Sequence, residues 1–490
     1  MSTPPPVRPS AAPALPPAVL LPGFAGTTLP GWLARRLRDG LAGVCLFAEN
    51  VAAPEQLRAL TAAIRAANPL AIVAMDEEGG DVTRLHAATG SPFPGNALLG
   101  RIDDLSLTAS VGAAVAAELR AAGVNLNLAP DVDINSDPGN PVIGVRSFGA
   151  DPALVARHTT AWVAAHEAGG VAVSAKHFPG HGDTAADSHH ALPVVDLPLE
   201  VLRDRELVPF RAAVEAGART VMSSHILLPR LDAGAPGTFS PRILGDLLRG
   251  ELGFTGAVVS DALDMAGASG ETGVPGAAVR ALAGGCDLLC LGTGSTDEQL
   301  EEIQAVIEAA VAGGTLPVAR LADAADRVGT LARGLAAGVD AGAGGSPASG
   351  GAVPQPSAVE PARLVAGFDV VEGTVVPPRA CLVSLETEAN MAVGPDVPWG
   401  PASVGLRPVP LHEGDVLPVS ALPYVVVGKD NHRRGWTRAL VDRARAAHPA
   451  TVVVDMGWPS PDRRYADIAT FGASRSVSVA LLSLLGRGDR

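Results

Sequence analysis

Aromatic residues are scarce: Phe, Tyr and Trp make up 3% of the 490 residues. Stacking platforms for bases or long glycans are therefore few. Positive charge is also short. Against 51 Asp and Glu stand 37 Lys and Arg, a net charge of −14, which excludes the basic footprint of a nucleic-acid-binding chain. Only two of those cations are lysines, Lys176 and Lys429. The four cysteines (Cys45, Cys286, Cys290, Cys381) follow no paired-ligand spacing. Cys286 and Cys290 lie in or beside an apolar run, so they read as buried free thiols of a reducing compartment and not as a disulfide framework. No apolar run reaches the ~18 residues that a membrane span needs. The opening MSTPPPVRPSAAPALPP lacks a basic segment followed by an apolar one. No signal peptide is expected, and a cytoplasmic location follows.

What is present is globular: 47% hydrophobic and 18% charged residues. The length exceeds one ordinary domain. Residues 1–17 read as a disordered Pro/Ala lead-in. Eight short apolar runs follow: Ala18–Leu21, Gly43–Phe47, Ala71–Met75, Asn125–Ala129, Val171–Ala175, Thr220–Ser224, Ala257–Ser260 and Asp287–Leu291. Segments with apolar residues at helical spacing separate them, among them Ala52–Ala67, Ser110–Ala122, Pro152–Ala168 and Pro241–Leu252. Continuous apolar strands alternating with helices predict a parallel sheet. Eight such units predict an α/β fold with a TIM-like (β/α)8 barrel over residues 18–335, with a doubly wound sheet as the alternative. Residues 336–358 are small, rich in Gly, Pro and Ser and nearly uncharged, and read as a linker. Beyond it, Ala380–Ser384, Tyr424–Gly428 and Thr451–Asp455 predict strands, and Arg438–Ala447 and Ile468–Leu485 predict helices. Residues 359–490 thus form a second, smaller α/β domain.

Informative polar residues sit just after the predicted strands: Asp76, Asp131, Asp133, Lys176, His177, His225 and Asp261. In a barrel these ends converge on one rim, where active sites are built. The stretch Lys176–His190 packs four histidines, three charged side chains and two glycines into fifteen residues. A metal site built from His177, His181, Asp187, His189 and His225 is one reading, but Pro179-Gly180 breaks the helix that the His177/His181 spacing would need. Acid/base chemistry is the other. Asp187 and His189 stand two apart, so a turn lets the carboxylate hold the imidazole and favour its protonated form. Asp261, directly after an apolar run, is placed either to cap the next helix or to act as a nucleophile. A carboxylate nucleophile opposite a separate acid/base is the minimum apparatus of a retaining glycosidase.

Seven stretches run in order across about residues 43–292: MDEEGGDVTRL, FPGNALLG, ELRAAGVNLNLAPDVDIN, NPVIGVRSFG, KHFPGHGDTAADSHHALPVV, VMSSHI and LLRGELGFTGAVVSDALDM. Together they resemble family 3 glycoside hydrolases, in the β-N-acetylglucosaminidase (β-N-acetylhexosaminidase) branch that acts on cell-wall fragments. The resemblance implies that Asp261 is the nucleophile forming a glycosyl-aspartate, that His189 is the acid/base and that Asp187 is its dyad partner. It also implies that Asp76, Arg146, Lys176 and His177 grip the sugar hydroxyls, and that the partner is a small saccharide. The β-glucosidase branch takes its acid/base carboxylate from the second domain, where Glu386, Glu388 and Glu413 are the candidates. The intact Asp-Ser-His triplet makes them unnecessary. Asp81 stands where many relatives carry arginine, which removes a cation from that position.

The leading expectation is thus a retaining exo-β-N-acetylglucosaminidase acting on small muropeptide-type saccharides. It needs no cofactor and no metal, and has no nucleic-acid or membrane partner. A phosphorylase on the same fold is the alternative, since a histidine acid/base does not repel incoming phosphate as a carboxylate would. A metallohydrolase and a non-catalytic sugar-binding module are further readings.

Overall fold

The computed structural model describes residues 15–184, 192–343, 359–387, 390–394 and 396–487. The first part of the chain carries eight parallel strands: β1 Leu20–Leu21, β2 Gly43–Leu46, β3 Ile72–Met75, β4 Leu126–Asn127, β5 Ala172–Phe178, β6 Thr220–Ser223, β7 Ala257–Val259 and β8 Leu289–Cys290. Strands β2 to β7 pair in sequence order and β8 pairs with β1. A bridge between Val259 and Leu288 joins β7 to β8. Cys45 N donates to Pro22 O (2.9 Å), linking β2 to the end of β1 and closing the ring. The sheet is the predicted (β/α)8 barrel, and a strand stands at each of the eight apolar runs.

Alternation along the strands builds two cores. Cys45, Ile72, Ala74, Leu126, Ala172 and Val259 point into the barrel, where Val328, Leu331 and Leu335 of the helix Val318–Ala343 plug one end. Val44, Leu46, Val73 and Met75 face the surrounding helices. That plugging helix carries the chain past residue 335, through part of the Ala-rich segment expected to be linker; alanine is the strongest helix former. The helix Leu105–Ala122 is long and apolar enough to cross a membrane by composition alone. Here it is a core helix. Val111, Val115 and Leu119 are buried against the outer core, and Gly112 lets it approach Trp162 of the helix Pro152–Ala168.

The second part holds β9 Asp369–Val370, β10 Cys381–Leu385, β11 Val409–Leu411, β12 Tyr424–Gly428, β13 Val452–Asp455 and β14 Ile468–Ala469. Their order is β11–β10–β12–β13–β14–β9, parallel except for β9. The expected helix Ile468–Leu485 is corrected. Ile468–Ala469 pairs with β13, and the helix is Arg475–Leu484. Positive φ at Phe471 (52°) and Gly472 (153°) interrupts the segment, and the Ser474 side chain caps the helix that follows.

Candidate active site

Strand β5 runs to Phe178, three residues beyond its predicted end, so Lys176 and His177 stand on the strand itself. Around the carboxyl ends of β3, β5 and β7 lies a cavity of about 530 Å³ lined by Asp76, Arg146, Lys176, His177 and Asp261. Five of the seven expected site residues, from four separate stretches, are therefore brought together. The other two, Asp187 and His189, lie outside the described residues. A larger cavity of about 690 Å³ lies at the other end of the barrel, beside Arg219 and the plugging helix. Its Arg219 and Arg327 are paired with Glu167 and Asp323, and barrel active sites form at the opposite face.

The floor of the site is a compact ionic network. Lys176 Nζ donates to Asp76 Oδ1 (2.7 Å) and to Glu78 Oε1 (2.8 Å). Arg146 grips Glu78 with two bonds, Nη2 to Oε1 (2.8 Å) and Nε to Oε2 (3.0 Å). Burial pushes the Glu78 carboxyl up, but Arg146 and Lys176 outweigh it and hold the group well below the usual carboxylate range. Two cations thus face two carboxylates. Such a set offers oriented donors and acceptors to hydroxyl groups. Glu78 was missed in the sequence, although it stands in the same MDEEGG stretch as Asp76. Breaking a buried pair leaves its partners uncompensated and costs about 3–5 kcal/mol. Glu78→Gln is therefore expected to lower the melting temperature by at least about 3 °C and to raise KM. An unchanged melting curve and KM would show that the network does not need this charge.

Asp133 is the second organiser. Its Oδ2 accepts from His177 Nδ1 (2.7 Å) and its Oδ1 from the His181 backbone N–H (2.7 Å). Burial pulls His177 down to about 4. The ring is thus neutral at neutral pH, with Nδ1–H on Asp133 and Nε2 turned toward Arg146 Nη2 at 3.4 Å. Burial, with Asp133 adding to it, pushes Asp131 up to about 7. His181 Nδ1 meets Thr184 Oγ1 (2.9 Å). The metal set considered from the sequence is not assembled among the described residues. His225 turns Nε2 to the carbonyl of Ala262, the residue after Asp261 (3.1 Å), and among the described residues it is in no group with His177 and His181 close enough to share an ion. Asp131, Asp133 and His177 do come close enough to share an ion. However, the Arg146 guanidinium lies 3.4 Å from both Asp131 Oδ2 and His177 Nε2, so a cation already occupies that neighbourhood.

Asp261 follows β7, and its Oδ1 accepts from the Ala262 N–H (2.8 Å). The helix-cap alternative does not hold: the next helix is Ala266–Ser269, capped at Met265. Arg84, also missed in the sequence, lines the cavity. Glu77 fixes the loop that carries it, accepting from Thr83 Oγ1 (2.8 Å), Arg84 N (2.9 Å) and Leu85 N (2.9 Å). Asp81 turns away from the cavity floor and accepts from Ala473 N of the second domain (2.8 Å).

Of the second-domain glutamates, Glu386 accepts from Ser384 Oγ (2.6 Å) and Glu413 is exposed. Neither lines the cavity. Glu388 lies outside the described residues. Glu386→Gln, Glu388→Gln and Glu413→Gln are each expected to leave kcat within a few-fold. A thousandfold drop in any one would give that residue the acid/base role.

A closed barrel with an aspartate and a paired-charge network lining one cavity at its carboxyl rim has the architecture of a barrel enzyme. Residues 34–331 match the model of the Glycosyl hydrolase family 3 N terminal domain, so the chain belongs to glycoside hydrolase family 3. Within that family it sits beside the β-N-acetylhexosaminidases. It is 40% identical over 297 residues to the beta-hexosaminidase of Stenotrophomonas maltophilia (strain R551-3), covering 58% of this chain and 87% of that protein. It is 41% identical over 269 residues to beta-hexosaminidase A of Pseudoalteromonas piscicida, covering 50% of this chain and 45% of that longer protein. A family 3 beta-N-acetylglucosaminidase from Paenibacillus sp. str. FPU-7 superimposes with a TM-score of 0.84 at 31% identity, over 96% of each chain.

Proposed function

We propose that this enzyme is a retaining exo-β-N-acetylglucosaminidase acting on small cell-wall saccharides of the muropeptide type, through a covalent glycosyl-aspartate on Asp261. The observation that carries the reading is the placement of Asp261 on the same sugar-sized cavity as the Asp76–Lys176–Glu78–Arg146 network. In the first step an Asp261 oxygen attacks the anomeric carbon. The bond to the leaving oxygen breaks, and His189, oriented by Asp187, delivers a proton to that oxygen. In the second step His189 takes a proton from water, and the water oxygen displaces Asp261. Asp76, Arg146, Lys176 and His177 hold the sugar hydroxyls, so that the ring is positioned before either step. The names of the similar proteins support N-acetylglucosamine as the sugar.

The test uses chromogenic β-glycosides with proton NMR of the products, in the presence and absence of phosphate and of a chelator. The expected result is preferential release of β-N-acetylglucosamine, with the same free sugar in phosphate buffer and the same rate with chelator. A sugar phosphate in place of free sugar would make the enzyme a phosphorylase. An α-configured first product would remove the covalent intermediate. Activity lost with chelator and restored by zinc would establish a metallohydrolase.

A further inference from the structure

The cavity has an outer wall that does not come from the barrel. In the second sheet the strands stand as β11–β10–β12–β13–β14, the doubly wound 2-1-3-4-5 order. Such sheets take ligands at the carboxyl ends of the strands on either side of the reversal, here β10 and β12. Both ends are pressed onto the barrel rim. After β10, Asn390 Nδ2 donates to Val142 O (2.8 Å), and Ala392 O accepts from Arg84 Nη2 (2.8 Å). After β12, Arg433 Nη2 donates to Pro138 O (3.2 Å). The Asn390 side chain also closes its own turn, with Oδ1 accepting from Ala392 N (2.7 Å), which fixes residue 391 at the turn's apex. Met391 and Ala392 thereby line the same cavity as Asp261.

Met391 is 58% exposed, a large apolar side chain on the second-domain side of a cavity that also holds Asp261 and the Lys176–Arg146 network. The chain has only six methionines and few aromatics. A thioether chain is flexible and polarizable, and it packs against irregular apolar surfaces such as the C–H face of a pyranose ring. Val142, the residue Asn390 bonds, borders the cavity beside it.

We propose that the segment Asn390–Ala392 is the leaving-group wall of this glycosidase, with Met391 lying against the C–H face of the sugar that departs. The second domain then sets the preference for a saccharide over a small leaving group, and this rests on the reading of the Asp261 cavity given above. Met391 is a specificity-determining residue: it meets the leaving sugar and takes no part in bond making.

The full chain is assayed with paired donors, a β-linked disaccharide and the corresponding β-glycosyl fluoride, for N-acetylglucosamine, glucose and xylose. The sugar that the wild type accepts tests the proposed function. The disaccharide-to-fluoride ratio of kcat/KM for whichever sugar it accepts tests the wall, so the two readings fail separately. Met391→Ala is expected to lower that ratio about tenfold, the scale of one lost apolar contact. Asn390→Ala, which frees the turn, should act in the same direction. A ratio within twofold of wild type in both variants, or an equal loss on both donors, would overturn the proposal.

Discussion

Asp261→Ala is expected to cut kcat/KM at least about a thousandfold, roughly 4 kcal/mol of transition-state stabilisation, while leaving the melting curve close to that of the wild type. The side chain is half-buried just after β7, where its Oδ1 accepts from the Ala262 N–H. Its removal therefore opens space in a cavity and does not empty a core position. The chemical loss is larger. Of the carboxylates lining the cavity besides Asp261, Asp264 accepts from the Thr293 N–H (3.3 Å), while Asp76 and Glu78 are bound to Lys176 or to Lys176 and Arg146 together. A carboxylate held by cations is a poor nucleophile, so neither replaces Asp261. Azide in the cavity of the alanine variant should attack from the vacated side and give an inverted α-glycosyl azide. Residual activity above about a hundredth of wild type would show that another group forms the intermediate.

The second large effect is expected at His189, and it should depend on the substrate. His189→Ala should lose most of its activity, about a hundredfold or more, on glycosides with poor leaving groups, where the departing oxygen must receive a proton. On dinitrophenyl glycosides, whose leaving oxygen needs little protonation, the loss in the first step should be much smaller. Asp187→Ala should move the alkaline limb of the pH–rate profile downward, because a nearby carboxylate favours the protonated imidazole and its removal withdraws that support. An equal loss on activated and unactivated substrates would mean that His189 does something other than proton transfer. An unmoved alkaline limb in Asp187→Ala would separate the two residues.

Much of the barrel could be read from the chain because strand and helix patterns are local. Gly43–Leu46 and Ile72–Met75 are continuous apolar runs because a parallel strand in a barrel is covered on both faces. The segments between them carry helical spacing for one covered face. The positions of Asp76, Lys176, His177 and Asp261 at strand ends were likewise legible, since strand direction alone sends them to one rim. The strand at Ile468–Ala469 was not. Its two residues carry too little pattern to be distinguished from the helix that follows Ser474, and it is a strand only because β13 lies beside it.

The partnerships among charges were decided by the tertiary structure. The sequence shows Glu78 as one carboxylate among three in a row; only the fold brings Arg146, 68 residues away, onto both of its oxygens. Asp133 similarly precedes His177 by 44 residues, and its hold on the ring exists because β5 lies beside the chain that leaves β4. Asp81, expected from the sequence to alter contacts at the substrate, instead bonds Ala473 N across the domain interface, 392 residues away. Residue type and strand direction thus determined the barrel and which side chains reach its rim. Which of them neutralise one another, and which turn to the second domain, depends on distances of a few ångströms between segments far apart in the chain, and Coulomb and hydrogen-bond energies are set by those distances.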